Sequence, residues 1–258
     1  DNSLRYLEEN KTAGENVARS KLNLAGRQLE LVKRLRELNR KIVVIYINGK
    51  PIAEPWISQN IDAIIEAWEP GLMGGKAIGE IIFGDINPSG KLPLTFPRSV
   101  GQLQMIYNHK PTQYYRKYID EEITPLYYFG HGLSYAEFEY SNLNLDYIKG
   151  TDSHVKVSFL LNNKSDFDGE EVVQVYFRDC YSSVTRPVKE LVEYKRVFVE
   201  SHQSKNISLN IDIEKLAFYD INMDLCVEKG DFVFMIGGSS DSNYQIRDSV
   251  FIDRRYQF

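Results

Sequence analysis

In the first third of the chain, apolar positions follow first a helical period and then unbroken runs. Residues 26–41 carry Leu29, Val32, Leu35 and Leu38 at three-residue steps, with Leu31 beside them and charges between. That spacing gathers apolar side chains on one face of an α-helix. Ile42-Val43-Val44-Ile45-Tyr46-Ile47 follows as a continuous apolar run, the pattern of a parallel strand covered on both faces, and Asn48-Gly49 closes it with a turn. Asp62-Ala63-Ile64-Ile65-Glu66-Ala67-Trp68 predicts a second strand, stopped by Pro70-Gly71, and residues 76–83 place Ile78, Ile81 and Ile82 on one helical face. Helix, strand, strand and helix with short connections predict an α/β layer. Two or three strands leave sheet edges open and an apolar face bare. The pattern therefore predicts further strands N-terminal to this chain, and the exposed edge keeps a homo-oligomer among the partners considered.

From 86 to 125 the periodicity dissolves: Asn87-Pro88-Ser89-Gly90 is a turn, and Pro93, Pro97, Pro111 and Pro125 exclude a long regular element. Thereafter the pattern has period two. Val155, Val157 and Phe159 alternate with polar neighbours over 154–161, and 171–177, 191–199, 205–211 and 231–236 behave alike, separated by Asn, Asp, Ser and Gly. Short strands at regular spacing predict an antiparallel β-sandwich of immunoglobulin-like or fibronectin-like type. The expected fold class is α/β plus all-β. A partial α/β sandwich domain spans 1–108, an extended linker 109–135, and a fibronectin type III-like β-sandwich 136–258.

Composition narrows the function classes. The 258 residues carry a net charge of -5, which offers no basic field for nucleic acid or anionic lipid. No apolar run approaches the roughly 18–20 residues that span a bilayer. Cys180 and Cys226 stand far apart in no metal-ligand or CxxC pattern and read as ordinary thiols. His109, His131, His154 and His202 show no ligand spacing, so neither metal nor other cofactor is expected. Gly71, Gly74 and Gly75 precede a helix without the GK[ST] ending of a phosphate loop, and no GxSxG elbow is present.

Several motifs in one order carry a resemblance. Gly14-Glu15-Asn16-Val17-Ala18-Arg19-Ser20 precedes Leu22, Leu24, Gly26 and Gln28, and Asn48-Gly49-Lys50-Pro51 follows the first strand. Ala67-Trp68-Glu69-Pro70-Gly71 leads into Gly74-Gly75-Lys76-Ala77-Ile78, and Phe83-Gly84-Asp85-Ile86-Asn87-Pro88-Ser89-Gly90-Lys91-Leu92-Pro93 runs on to Thr95-Phe96-Pro97. Later come Pro125-Leu126-Tyr127-Tyr128-Phe129-Gly130-His131-Gly132-Leu133-Ser134-Tyr135, Arg186-Pro187-Val188-Lys189-Glu190-Leu191, Ala217-Phe218-Tyr219-Asp220 and Ile236-Gly237-Gly238-Ser239-Ser240. Together they resemble glycoside hydrolase family 3, of the β-glucosidase type, over essentially the whole chain. The PLYPFGYGLSY hallmark of that family is altered here by Tyr128 and His131.

The resemblance implies a retaining, exo-acting enzyme that removes β-linked sugars. Its nucleophilic Asp stands on a barrel domain preceding this chain, and its acid/base Glu on the α/β domain. It implies as partners a β-linked oligosaccharide or aryl glucoside and the barrel of the same protein. Retention needs two carboxyl groups about 5–5.5 Å apart, one attacking and one protonating the leaving oxygen. The motif places that acid at Glu15, with Glu8 and Glu9 as competitors and a solvated loop carboxylate as the plain alternative. No nucleophile is assignable, since Asp62 at a strand start and Asp85 in a turn read as structural. Tyr118 and Asp120, with Tyr114, Tyr115, Glu121 and Glu122, are candidates for the rim of a sugar site, a solvated acidic face being the alternative. A β-xylosidase or N-acetylglucosaminidase of the same family, and a non-catalytic carbohydrate-binding or stabilising module, stay open.

Overall fold

The structure is a computed structural model and describes residues 19–38, 40–111 and 117–258. They fall into two compact units, one within 19–85, 96–105 and 117–127, the other within 86–95, 106–111 and 128–258.

In the first unit helix α1 (Gln28–Glu37) leads to strand β1 (Val43–Ile47), helix α2 (Pro55–Asn60), strand β2 (Ala63–Trp68) and helix α3 (Gly74–Phe83). β1 and β2 pair in parallel, Val43 opposite Ala63 through Tyr46 opposite Glu66, and then slip so that Ile47 faces Trp68. α2 opens on Pro55, where a missing N–H costs nothing because the first-turn donors are unbonded anyway. α3 stops at Gly84, whose φ of 81° is open to glycine; the next amide, of Asp85, donates back to Glu80 O at 2.8 Å. Phe96 and Tyr127 join in an antiparallel bridge. Beside it Arg98 pairs with Glu122 at 2.8 Å, while the Gln102 amide donates to Glu122 O at 2.7 Å.

Tyr46 is buried on one side of β1, but Val43, Ile45 and Ile47 on the other are 43%, 38% and 68% exposed. α1 buries none of its residues, and Leu31, Leu35 and Leu38 lie in solvent. Among the described residues this apolar face has no cover.

The second unit is a β-sandwich. Its strands are β3 (Phe138–Ile148), β4 (His154–Asn163), β5 (Gly169–Asp179), β6 (Glu190–Val199), β7 (Ser204–Asp212), β8 (Phe218–Tyr219), β9 (Leu225–Val227), β10 (Gly230–Gly237), β11 (Ile246–Ile252) and β12 (Tyr256–Gln257). They form sheets in the orders β3-β4-β7, β11-β10-β5-β6 and β12-β9-β8. Alternation drives the packing. Val155, Val157, Phe159 and Leu161 of β4 enter one core with Val173, Val175 and Phe177 of β5 and with Phe232, Phe234 and Ile236 of β10.

Irregular segments cover the outer side of β5. Tyr107 stacks on Phe129 with centroids 4.4 Å apart and sets its edge against Tyr176, while the Gln174 amide donates to Gly130 O and Gly238 O at 3.2 and 2.6 Å. Lys91, from the segment after the first unit's α3, reaches the buried Glu171 of β5 at 3.2 Å and Gly132 O at 2.8 Å. No helix among the described residues is long and apolar enough to cross a membrane.

Candidate functional site

In open α/β sheets, ligands are taken up beyond the carboxyl ends of parallel strands. In the first unit those ends are Asn48 and Trp68, joined by the Asn48 amide donating to Trp68 O at 3.1 Å. The chain leaving β1 forms a shelf. Asn48 Nδ2 donates to Lys50 O, Lys50 Nζ to Arg19 O, and the Ala53 amide to Leu22 O at 3.0 Å. Asn23 Nδ2 reaches Ala53 O at 3.3 Å, and the buried Glu54 accepts the Leu24 amide at 2.8 Å. Residues 19–24, which begin with the last two residues of the Gly14–Ser20 motif, are thus laid along 50–54 at the strand ends.

Charge is scarce and poorly solvated here. Glu66 receives the Trp68 amide at 3.3 Å, and burial pushes its carboxyl pKa up although that amide and Asn48 oppose the shift. Burial likewise drives the Tyr46 phenol far above its ordinary value, helped by Tyr127, Glu54 and Glu66. Tyr127 donates to Ser58 Oγ at 2.8 Å and is raised by burial too. Glu66 Oε2 and Asn48 Oδ1 are both buried without a hydrogen-bond partner among the described residues. Trp68 adopts φ 52°, a region that costs a bulky non-glycine residue about 1–3 kcal/mol and that clusters at functional positions.

Glu15, Glu8 and Glu9, with Tyr114 and Tyr115, lie outside the described residues. Tyr118 is half-buried and Asp120 exposed; among the described residues no hydrogen bond or ion pair joins either to the strand-end groups. Their acidic neighbours are held instead, since Glu121 and Glu122 both pair with Arg98. Asp62 binds Lys41, Arg36 and the Ile42 amide at the opposite end of β2, a structural role. Asp85 closes the turn after α3. Sequence reasoning missed Glu66 and Asn48 as members of this site. The available signal was an acid inside the otherwise apolar run of β2.

The sandwich holds a second polar group. Asp220, Cys226 and Glu228 bring ligand-type atoms within 4.8 Å of one another, but Arg255 lies among them at 2.6 Å from Asp220 and 3.4 Å from Glu228. The guanidinium neutralises the carboxylates and holds Asp220 well below the usual carboxylate range. This is a latch between β8, β9 and the C-terminal segment.

Residues 2–135 match the glycosyl hydrolase family 3 C-terminal domain, and residues 171–240 a fibronectin type III-like domain. A periplasmic β-glucosidase of Salmonella typhimurium is 37% identical over 239 residues, covering 88% of this chain and 31% of that protein. A β-xylosidase of Formosa agariphila is 36% identical over 237 residues, covering 90% and 33%. A solved β-glucosidase from Listeria innocua, in complex with glucose, superposes with a TM-score of 0.87 at 30% identity, over 95% of this chain and 35% of that one. The chain therefore spans about a third of the length of the relatives it matches. With both domain matches in sequence order and relatives above 30% identity along nearly its full length, the chain belongs to glycoside hydrolase family 3.

Proposed function

We propose that this chain is the acid/base-bearing C-terminal part of a retaining, exo-acting β-glucosidase. It acts on terminal β-D-glucosyl residues of oligosaccharides or aryl glucosides, together with a barrel domain that supplies the nucleophilic Asp. The observation that carries this reading is the 37% identity to a β-glucosidase across 88% of the chain, motif Gly14-Glu15 included in the matched family domain. It is supported by the anchoring of residues 19–24 at the carboxyl ends of β1 and β2, the end of an open α/β sheet where ligands are bound.

In this reading Glu15 gives its proton to the glycosidic oxygen as the barrel Asp attacks the anomeric carbon. It then takes a proton from the water that hydrolyses the glycosyl-enzyme. Tyr118 and Asp120 contribute to the rim. Without the nucleophile, the chain alone is inactive. A β-xylosidase is the second reading, favoured by the 36% identity to the Formosa enzyme, because the groups that read the sugar's C5 substituent would lie on the barrel.

The test mixes this chain with the separately produced barrel portion and follows p-nitrophenol release from aryl β-D-glucoside and β-D-xyloside. Activity is expected only in the mixture, higher on the glucoside. Glu15→Gln should lose most of it through slow hydrolysis of the glycosyl-enzyme, and azide, attacking that intermediate in place of water, should partly restore p-nitrophenol release. Equal activity of wild type and Glu15→Gln would move the acid elsewhere, first to Glu8 or Glu9. A folded mixture inactive on every aryl glycoside would favour a non-catalytic stabilising module.

A further inference from the structure

The group at the strand ends leaves two buried oxygens outside its hydrogen bonds. Trp68 is tied through both its peptide groups, its N–H to Glu66 Oε1 at 3.3 Å and its C=O to the Asn48 amide at 3.1 Å. These two ties hold it at φ 52°, immediately after the register slip between β1 and β2. The remaining oxygens of the same two partners, Glu66 Oε2 and Asn48 Oδ1, are buried and meet no donor among the described residues. Orphaned buried acceptors are costly. A proton on Glu66 relieves the one on its own side chain. The carboxylic acid becomes a donor through Oε2, its other oxygen still accepts from Trp68, and no bare charge is left out of water.

The surroundings favour that form. Tyr46 lies opposite Glu66 across β1 and β2, and it and Tyr127 are neutral phenols, so neither brings a compensating cation to Glu66. Lys50 is turned to the Arg19 carbonyl, and among the described residues no cation pairs with Glu66. Burial moves its ionisation in the same direction. The Trp68 ring is half-exposed and braced edge-on by Phe96, centroids 5.9 Å apart at 73°.

We infer that Glu66 is a positioning residue: as a neutral acid it clamps Trp68 in the left-handed conformation at the end of β2 and so presents the indole to a sugar ring of the substrate. Strained backbone is kept where the surroundings over-determine it, which is common at ligand clamps. An aromatic face packs against sugar C–H groups, so the ligand class is a β-linked glycoside. The sugar half of this inference rests on the glycosidase reading, whereas the clamp does not.

The clamp is tested on this chain in a Trp56→Phe background, where Trp68 is the remaining tryptophan. Near-ultraviolet circular dichroism and Trp68 emission are recorded from pH 5 to pH 9. At pH 7 Glu66→Gln, which mimics the neutral acid, should reproduce the wild-type spectra, while Glu66→Ala should shift them. Gln spectra displaced as far as those of Ala, or Ala spectra identical to wild type, would overturn the clamp. The sugar contact is tested by kinetics in the complete polypeptide. Trp68→Leu and Glu66→Ala should each raise KM for an aryl β-glucoside, up to about tenfold, with little change in kcat, and Gln at position 66 should rescue the Ala defect. Wild-type activity with KM unmoved by Trp68→Leu would overturn the contact. A complete polypeptide inactive on all aryl glycosides would overturn the glycosidase reading and the sugar contact with it, leaving the spectra to judge the clamp.

Discussion

Replacing Lys91 by Met removes one half of an ion pair that the sandwich has taken almost completely out of water. The side chains of Lys91 and Glu171 are 13% and 6% exposed, and Lys91 Nζ is 3.2 Å from both Glu171 oxygens. Once Lys91 is gone, the Glu171 carboxylate keeps, among the described residues, the Tyr140 hydroxyl at 3.1 Å, a phenol whose pKa is raised by burial and then by that same carboxylate. Breaking a buried pair from one side costs about 3–5 kcal/mol, and the lost bond to Gly132 O adds about 1 kcal/mol. Partial water access at Lys91 brings the expected total to about 3 kcal/mol. Both tryptophans, Trp56 and Trp68, lie in the first unit, so the sandwich is followed by far-ultraviolet circular dichroism and the α/β unit by tryptophan emission. In urea, with a slope of about 2 kcal/mol/M, the dichroism midpoint should fall by about 1.5 M while the emission midpoint stays in place. The companion variant Lys91→Met with Glu171→Gln carries no stranded charge and should recover more than half of the loss. A single-variant cost below about 0.5 kcal/mol would mean that the pair behaves like a surface pair. A double variant no better than the single would mean that packing, not the stranded carboxylate, sets the cost.

Two further outcomes test the sandwich. Asp179 is buried with one oxygen lacking a hydrogen bond among the described residues, and burial lifts its pKa to about 6 against the pull of Arg186 at 3.8 Å. The folded state therefore binds more protons than the unfolded state between about pH 4 and 6, so stability falls as pH rises through that window. Asp179→Asn leaves Arg186 paired with Glu190 at 2.6 Å, so it strands no charge; it should remove that slope and gain about 2 kcal/mol at pH 7, read from urea midpoints at several pH values. Gly130 has φ 78°, and a Cβ there would run into the Gln174 amide that bridges Gly130 O and Gly238 O. Gly130→Ala should cost about 2–3 kcal/mol, seen as a lower dichroism midpoint with the emission midpoint unchanged.

Where side chains alternate without interruption, the strands were legible in the sequence. β4, β5, β6, β7 and β10 follow their period-two stretches closely. β3 was hidden because its register slips between Ser141 and Asn144, with Asn142 at φ 55°, and this breaks the alternation midway. β11 was hidden by the polar run Arg247-Asp248-Ser249 on an edge strand. α2 escaped because Pro55 reads as a breaker, although at the first helical position it is a starter, and because Ile57 alone is buried from that helix. Local pattern also says nothing about which irregular segments pack on a sheet. That Tyr107, Phe129 and Lys91 would meet β5 depends on contacts many residues apart. At the candidate site the motifs pointed to Glu15 by resemblance. The Glu66–Trp68–Asn48 clamp follows from a backbone angle and two orphaned oxygens, neither of which composition or spacing encodes.

The Arg255 latch gives the sandwich an internal stopwatch. Cys226 is fully buried in β9 between β8 and β12, whereas Cys180 is half-exposed, and neither is in a disulfide. A thiol reagent meets Cys180 directly but reaches Cys226 only after β9 parts from its neighbours and Arg255 releases Asp220. Burial also raises the Cys226 thiol pKa, which keeps it from the reactive thiolate form until that moment. The delay between the two labelling events thus times the opening of one small sheet, separately from the unfolding of the main core, with no foreign probe in the molecule.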